Sequence, residues 1–117
     1  MEAEIQTAGG VGNKIWLLGW YQDKNNTMEL LIKEENDKII LRQRAGGRIV
    51  KKQAATHITI APNISYKFKI AFDGAQFVVS VDSVNAITFA PAVTVPTGTV
   101  GFQVKNTIGR FGSINVQ

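Results

Sequence analysis

The sequence predicts an all-β fold, a two-sheet antiparallel β-sandwich of the jelly-roll kind with about ten strands and little or no helix, in a single domain over residues 1–117. Three observations carry this. Turn-forming residues recur at short intervals, at Gly9-Gly10, Asp23 to Asn26, Asn36-Asp37, Gly46-Gly47, Pro62-Asn63, Asp73-Gly74, Pro96 to Gly98 and Asn106 to Gly109. The segments between them alternate apolar and polar residues, and no window of helical length keeps an unbroken stripe at helical spacing. The stretch Ser65 to Asp82, SYKFKIAFDGAQFVVSVD, reads as two alternating strands about an Asp-Gly turn.

The elements follow in order. Ala3 to Thr7 reads as a first strand, directly after Met1. Lys14 to Gln22 splits into Ile15, Leu17, Gly19 and Tyr21 on one side and Trp16, Leu18, Trp20 and Gln22 on the other, so two tryptophans share a face. A two-residue turn at Asn36-Asp37 sets Ile32 opposite Leu41 and Leu30 opposite Gln43 on a mostly apolar face. The other face is mixed, with Glu29 opposite Arg44, Leu31 opposite Arg42 and Lys33 opposite Ile40. A similar turn at Gly46-Gly47 places Arg42 opposite Lys51 and Arg44 opposite Ile49, which gathers basic residues on the mixed face. At Asp73-Gly74 the same geometry pairs Ile70 with Phe77, Phe68 with Val79 and Tyr66 with Val81.

With 117 residues, 44% of them hydrophobic, the chain is long enough to bury a core without staples. It has no cysteine, which removes disulfides and thiolate metal sites. No apolar run approaches the roughly 20 residues of a membrane span, and Met1 to Ile5 lacks the basic and apolar regions of a signal peptide. A net charge of +4 favours anionic partners but falls short of a dedicated nucleic-acid binder.

The succession LLGWYQDKNNTMELLI, IILRQRAGGRI, YKFKIAFDGAQFVVSVDS, PTGTVGFQVKN and RFGSINV resembles the concanavalin A-like lectin/glucanase superfamily, and more narrowly its laminin G-like and carbohydrate-binding-module jelly rolls. The resemblance spans nearly the whole chain. It implies a two-sheet sandwich that is often extracellular or at the cell surface, commonly binds a glycan or polysaccharide, and is often one module of a larger protein. Three departures stand out: Trp20 where many relatives carry arginine, Phe111-Gly112-Ser113 where the last strand usually reads Phe-Asp-Asn, and no counterpart of a first strand ahead of this start. Glycine at 112 removes a candidate ligand for the calcium of some relatives, so no metal is expected, and no cofactor. A missing first strand would leave a sheet edge free to pair with a second copy of the chain.

Catalysis is not expected. The glucanase branch needs paired carboxylates about 5–5.5 Å apart, which alternation supplies as Glu-x-Asp-x-x-Glu, and that pattern is absent. Glu2 and Glu4 are terminal, and Glu34-Glu35-Asn36-Asp37 reads as a solvated turn. His57 is the sole histidine and has no recognisable triad partners. Ala8 to Gly12 lacks the following helix or Lys-Ser/Thr of a phosphate cradle.

Binding is therefore the expected chemistry. Sugar rings pack a flat C–H surface on indole while their hydroxyls seek polar partners, so Trp16 and Trp20 form a candidate platform with Gln22, Glu29, Arg42 and Arg44 around it. Arginine suits the bidentate recognition of an acidic glycan. Against this stands a plainer reading in which both tryptophans are core, and one in which Arg42, Arg44, Arg48, Lys51 and Lys52 merely keep a hairpin solvated. Nucleic acid is disfavoured, because no aromatic residues interleave with these charges. The alternative function is a structural or protein-interaction sandwich that binds no glycan.

Overall fold

Ten described strands pair into two five-stranded antiparallel sheets in the computed structural model, which describes residues 2–7, 14–33, 36–61, 63–95, 99–105 and 109–115. The strands are β1 (Glu2–Thr7), β2 (Lys14–Asp23), β3 (Asn26–Lys33), β4 (Lys38–Ala45), β5 (Arg48–Ala55), β6 (Ser65–Phe72), β7 (Phe77–Val81), β8 (Val84–Phe89), β9 (Thr99–Lys105) and β10 (Gly109–Asn115). One sheet runs β10-β1-β6-β7-β8 and the other β5-β4-β3-β2-β9. The expected all-β sandwich is thus the observed fold. The expected turns at Gly9-Gly10 and Pro96 to Gly98, residues 106–108, and Glu34, Glu35 and Pro62 lie outside the described residues.

Alternation builds the core. Ile15 and Leu17 of β2, Met28, Leu30 and Ile32 of β3, and Ile39 and Leu41 of β4 face Ala3, Ile5, Phe68, Ile70, Phe77, Val79, Ile87 and Phe89 of the other sheet. Each of these side chains except the small Ala3 contributes about 1.5–3 kcal/mol of burial.

Two hairpins depart from the expected register by two residues. Phe72 pairs with Phe77, Ile70 with Val79 and Phe68 with Val81, so Asp73 to Gln76 form a four-residue loop. There the Asp73 carboxylate accepts from the Ala75 and Gln76 amides, both at 2.8 Å, and Phe72 stacks on Phe77 with ring centroids 4.3 Å apart. Likewise Lys33 pairs with Lys38, Leu31 with Ile40, Glu29 with Arg42 and Thr27 with Arg44. A shift of two keeps every side chain on its expected face. At Gly46-Gly47 both φ angles are positive, which matches a two-residue hairpin turn, and Arg44 lies opposite Ile49 as expected. A bulge then intervenes, so Arg42 faces Lys52 rather than Lys51.

β1 is an interior strand, hydrogen-bonded to β6 on one side and β10 on the other. The edge expected from a missing first strand is therefore not beside β1. The sheets end instead at β10 and β8, and at β5 and β9.

Polar side chains fasten the crossings between sheets. Asp37 Oδ1 accepts the Ile60 amide at 2.8 Å, and the Tyr66 hydroxyl accepts the Ala61 amide at 2.8 Å, which pins the segment from β5 to β6. Gln43, 3% exposed on the inner side of β4, clamps the segment after β8. Its Oε1 accepts from Ala92 N at 2.7 Å and Val93 N at 3.3 Å, and its Nε2 donates to Val93 O at 2.9 Å. Lys51 donates to the Ala90 carbonyl and lies over the Phe89 ring, 5.0 Å from its centroid.

Candidate functional site

The candidate residues lie on strands β2, β3 and β4 of the β5-β4-β3-β2-β9 sheet, most of them on or beside its outer face, and the strands decide which of them meet. In β2 the inward residues are Ile15 and Leu17, so Trp16 and Leu18 point outward, half-buried. Pairing sets Trp16 beside Leu31 and Ile40, which forms an apolar row, and Leu18 beside Glu29 and Arg42, with Lys52 next. Leu31 is only 5% exposed although it lies on the outer side.

Trp20 does not join Trp16. Pairing of β2 with β3 breaks between Gly19 and Asp23, and pairing with β9 breaks between Leu18 and Tyr21. Within this bulge Trp20 has φ +47°, and its ring turns inward against Phe77 (centroids 4.9 Å, planes at 86°) and Phe72 (6.2 Å). The Thr27 hydroxyl donates to the Gly19 carbonyl at 3.3 Å, an acceptor at the last residue before the break. The shared-face platform is thus corrected: Trp20 to Gln22 of β2 stand against Thr27 alone on β3, so the alternation breaks there and the indole turns to the core instead of joining Trp16. Gln22 is exposed near the end of β2.

Glu29, Arg42 and Arg44 do come together. Arg42 Nη2 donates to Glu29 Oε1 at 3.1 Å, while Arg44 donates to Oε2 through Nε at 3.3 Å and to Oε1 through Nη2 at 3.4 Å. Arg44 Nη1 also reaches the Gly47 carbonyl at 3.4 Å. The carboxylate-bearing side chain is 8% exposed, and those of Arg42 and Arg44 are 21% and 27% exposed. Buried charge costs free energy unless paired and hydrogen-bonded, so Glu29 is held by design of the sheet: Arg42 stands directly opposite it and Arg44 diagonally.

A cleft beside the network is lined by Trp20, Asn26, Thr27, Arg44, Thr94 and Val95, and an open depression on its other side by Arg42, Ile49, Val50, Lys51 and Lys52. The loop between β2 and β3 closes over Gly46-Gly47, with Gly47 N donating to Asn25 O at 3.1 Å and Gly46 N to Asn26 Oδ1 at 3.2 Å. Among the described residues no group of three or more His, Cys, Asp or Glu is placed to hold a metal ion. No described helix is long and apolar enough to cross a membrane. Sequence reasoning missed Gln43 as a clamp. Its signal was a polar residue at an inward position of β4.

By sequence, the chain matches no protein-family model and no curated protein. Its backbone is similar to that of a carbohydrate-binding module, CBM66 from Bacillus subtilis, with a TM-score of 0.75 at 18% identity over 94% of this chain and 68% of that one. It is also similar to sheep galectin-11, solved in complex with glycerol (TM-score 0.71, 9% identity, 94% of this chain and 86% of that one). A Caenorhabditis elegans galectin gives a TM-score of 0.70 at 7% identity over 96% of this chain and 80% of that one. These structures belong to more than one family, and what the chain shares with them is the jelly-roll fold of lectins and carbohydrate-binding modules.

Proposed function

We propose that the chain is a non-catalytic carbohydrate-binding module whose ligand, a glycan or polysaccharide, rests on the outer face of the β5-β4-β3-β2-β9 sheet. The observation that carries this reading is the Glu29–Arg42–Arg44 network, a hydrogen-bonded array of donors and one carboxylate, one row along the outer face from the outward Trp16. A sugar needs such a combination, an apolar surface for its C–H face and fixed polar groups for its hydroxyls. The fold supports the reading, since a carbohydrate-binding module and galectins share it. In this reading Trp16, Glu29, Arg42 and Arg44 contact the ligand, Trp20 shapes the neighbouring cleft, and the module works outside the cell or at its surface.

Electrophoresis through gels containing neutral or acidic polysaccharides tests it. Migration should slow in at least one gel, and Trp16→Ala should restore free migration while the chain stays folded, with only a modest fall in melting temperature from the lost packing on Leu31. No retardation in any gel overturns the reading.

A second reading has its own observation. Val84 on β8 is 69% exposed and Val50 on β5 is 36% exposed, each on a strand that ends its sheet. A protein-interaction domain would use such an edge, and concentration-dependent mass without glycan retention would favour it.

A further inference from the structure

We infer that the Arg42 side of this network takes the anionic group, carboxylate or sulfate, of an acidic polysaccharide. The inference rests on the glycan-binding reading and names the class of glycan. Two guanidinium groups share one carboxylate, so the network keeps a net charge of about +1. Arg42 places one of its N–H groups on Glu29, and its Nε is buried with no hydrogen-bond partner among the described residues. Across the strand pair Arg42 faces Lys52, a juxtaposition of like charges that costs stability when left alone. The array is thus short of negative charge on the side facing β5, and the part of the Arg42 guanidinium that stays exposed has donors to spare. An anion supplies the charge and accepts from those donors, and a carboxylate or sulfate matches the fork of a guanidinium.

The ground beside Arg42 fits a sugar that carries such a group. The open depression bounded by Arg42, Lys51 and Lys52 has Ile49 and Val50 in its lining. A pyranose ring would pack its C–H face on the two aliphatic side chains while its substituent reaches Arg42 and Lys52. Glu29 fixes the guanidinium plane beforehand, so little side-chain freedom is lost on binding. Nucleic acid offers anionic groups as well, but the lining holds no aromatic ring on which a base could stack.

Titration calorimetry of the intact chain with matched pairs that differ only in charge tests this. The pairs are polygalacturonate against its methyl ester, and dextran sulfate against dextran, with single-stranded DNA as a fifth probe, each at 20 mM and 500 mM salt, values at roughly long and short screening lengths. One charged member should bind about tenfold or more tighter than its neutral partner and lose that margin at high salt. Preference for polygalacturonate identifies a carboxylate and preference for dextran sulfate a sulfate. Arg42→Gln should weaken the charged ligand about tenfold. Lys52→Gln, at an exposed position, should weaken it about threefold and serves if the Arg42 variant fails to fold.

Equal binding of charged and neutral members overturns the inference while leaving the glycan-binding reading intact. DNA binding as tight as the best polysaccharide also overturns it, as does insensitivity to both substitutions. Silence with every probe, together with free migration in all polysaccharide gels, overturns both.

Discussion

Trp20 meets Phe77 edge to face across the core, with ring centroids 4.9 Å apart and planes at 86°, although strand parity would place its side chain with Trp16 on the opposite surface. Holding a bulky residue at positive φ costs about 1–3 kcal/mol, so the ring contacts with Phe77 and Phe72 must exceed that strain. The bulge is therefore paid back in packing. Trp20→Ala should lower stability by about 2–4 kcal/mol in urea titration, somewhat less than a fully buried tryptophan, and leave polysaccharide retention of the folded fraction unchanged. Loss of retention with unchanged stability would place the indole at the ligand instead.

Gln43 makes three bonds to the backbone of Ala92 and Val93 from a buried position. Gln43→Leu keeps the volume but strands those groups, at about 1–3 kcal/mol for each one left without water. Hydrogen exchange should show the Ala92 and Val93 amides losing protection while the Leu30 and Leu41 amides, paired between β3 and β4, keep theirs.

The β7–β8 turn runs through Asp82 at φ +50° and Ser83 at φ +70°, both non-glycine residues in the left-handed region. Asp82 has a role there, accepting the Lys67 amide at 2.8 Å and donating its own amide to the Lys67 carbonyl at 2.8 Å. No hydrogen bond holds the Ser83 side chain among the described residues. Ser83→Gly should stabilise the chain by about 1 kcal/mol, read as a raised urea midpoint at constant slope.

The Asp73 carboxyl lies below the ordinary aspartate range, because the Gln76 amide and then the Ala75 amide hydrogen-bond its ionised form. A folded-state value below the unfolded one means that the unfolded chain binds the proton more readily. The turn's contribution to stability is therefore present above about pH 4 and is lost as pH falls through the folded-state value. NMR titration should place Asp73 below the ordinary aspartate range, and Asp73→Asn should flatten this part of the acid limb.

Much of the fold was legible because burial has period two. Parity alone assigned Leu30, Ile32 and Leu41 to the core and Glu29, Arg42 and Arg44 to the outside, and those faces are the observed ones. The register was not legible, since a slide of two residues leaves the apolar pattern intact. What selects the observed register at β6–β7 is the stack of Phe72 on Phe77 and the closure of the Asp73 loop, both tertiary details. The candidate site was legible where its strands are regular and not where β2 bulges. Gly19, an isolated glycine inside a strand, was the available sign of that irregularity.

The strand order separates two kinds of pairing. From β2 to β5 each strand lies beside its neighbour in sequence, whereas β1 is inserted between β6 and β10. Loop closure is entropically modest for the first set and larger for the second. The meander that carries Glu29, Arg42 and Arg44 would then assemble early, and the insertion of β1 would come late, after its flanking strands exist. Truncating Ile5 should accordingly accelerate unfolding and leave the refolding rate nearly unchanged, while truncating Leu30 should slow refolding.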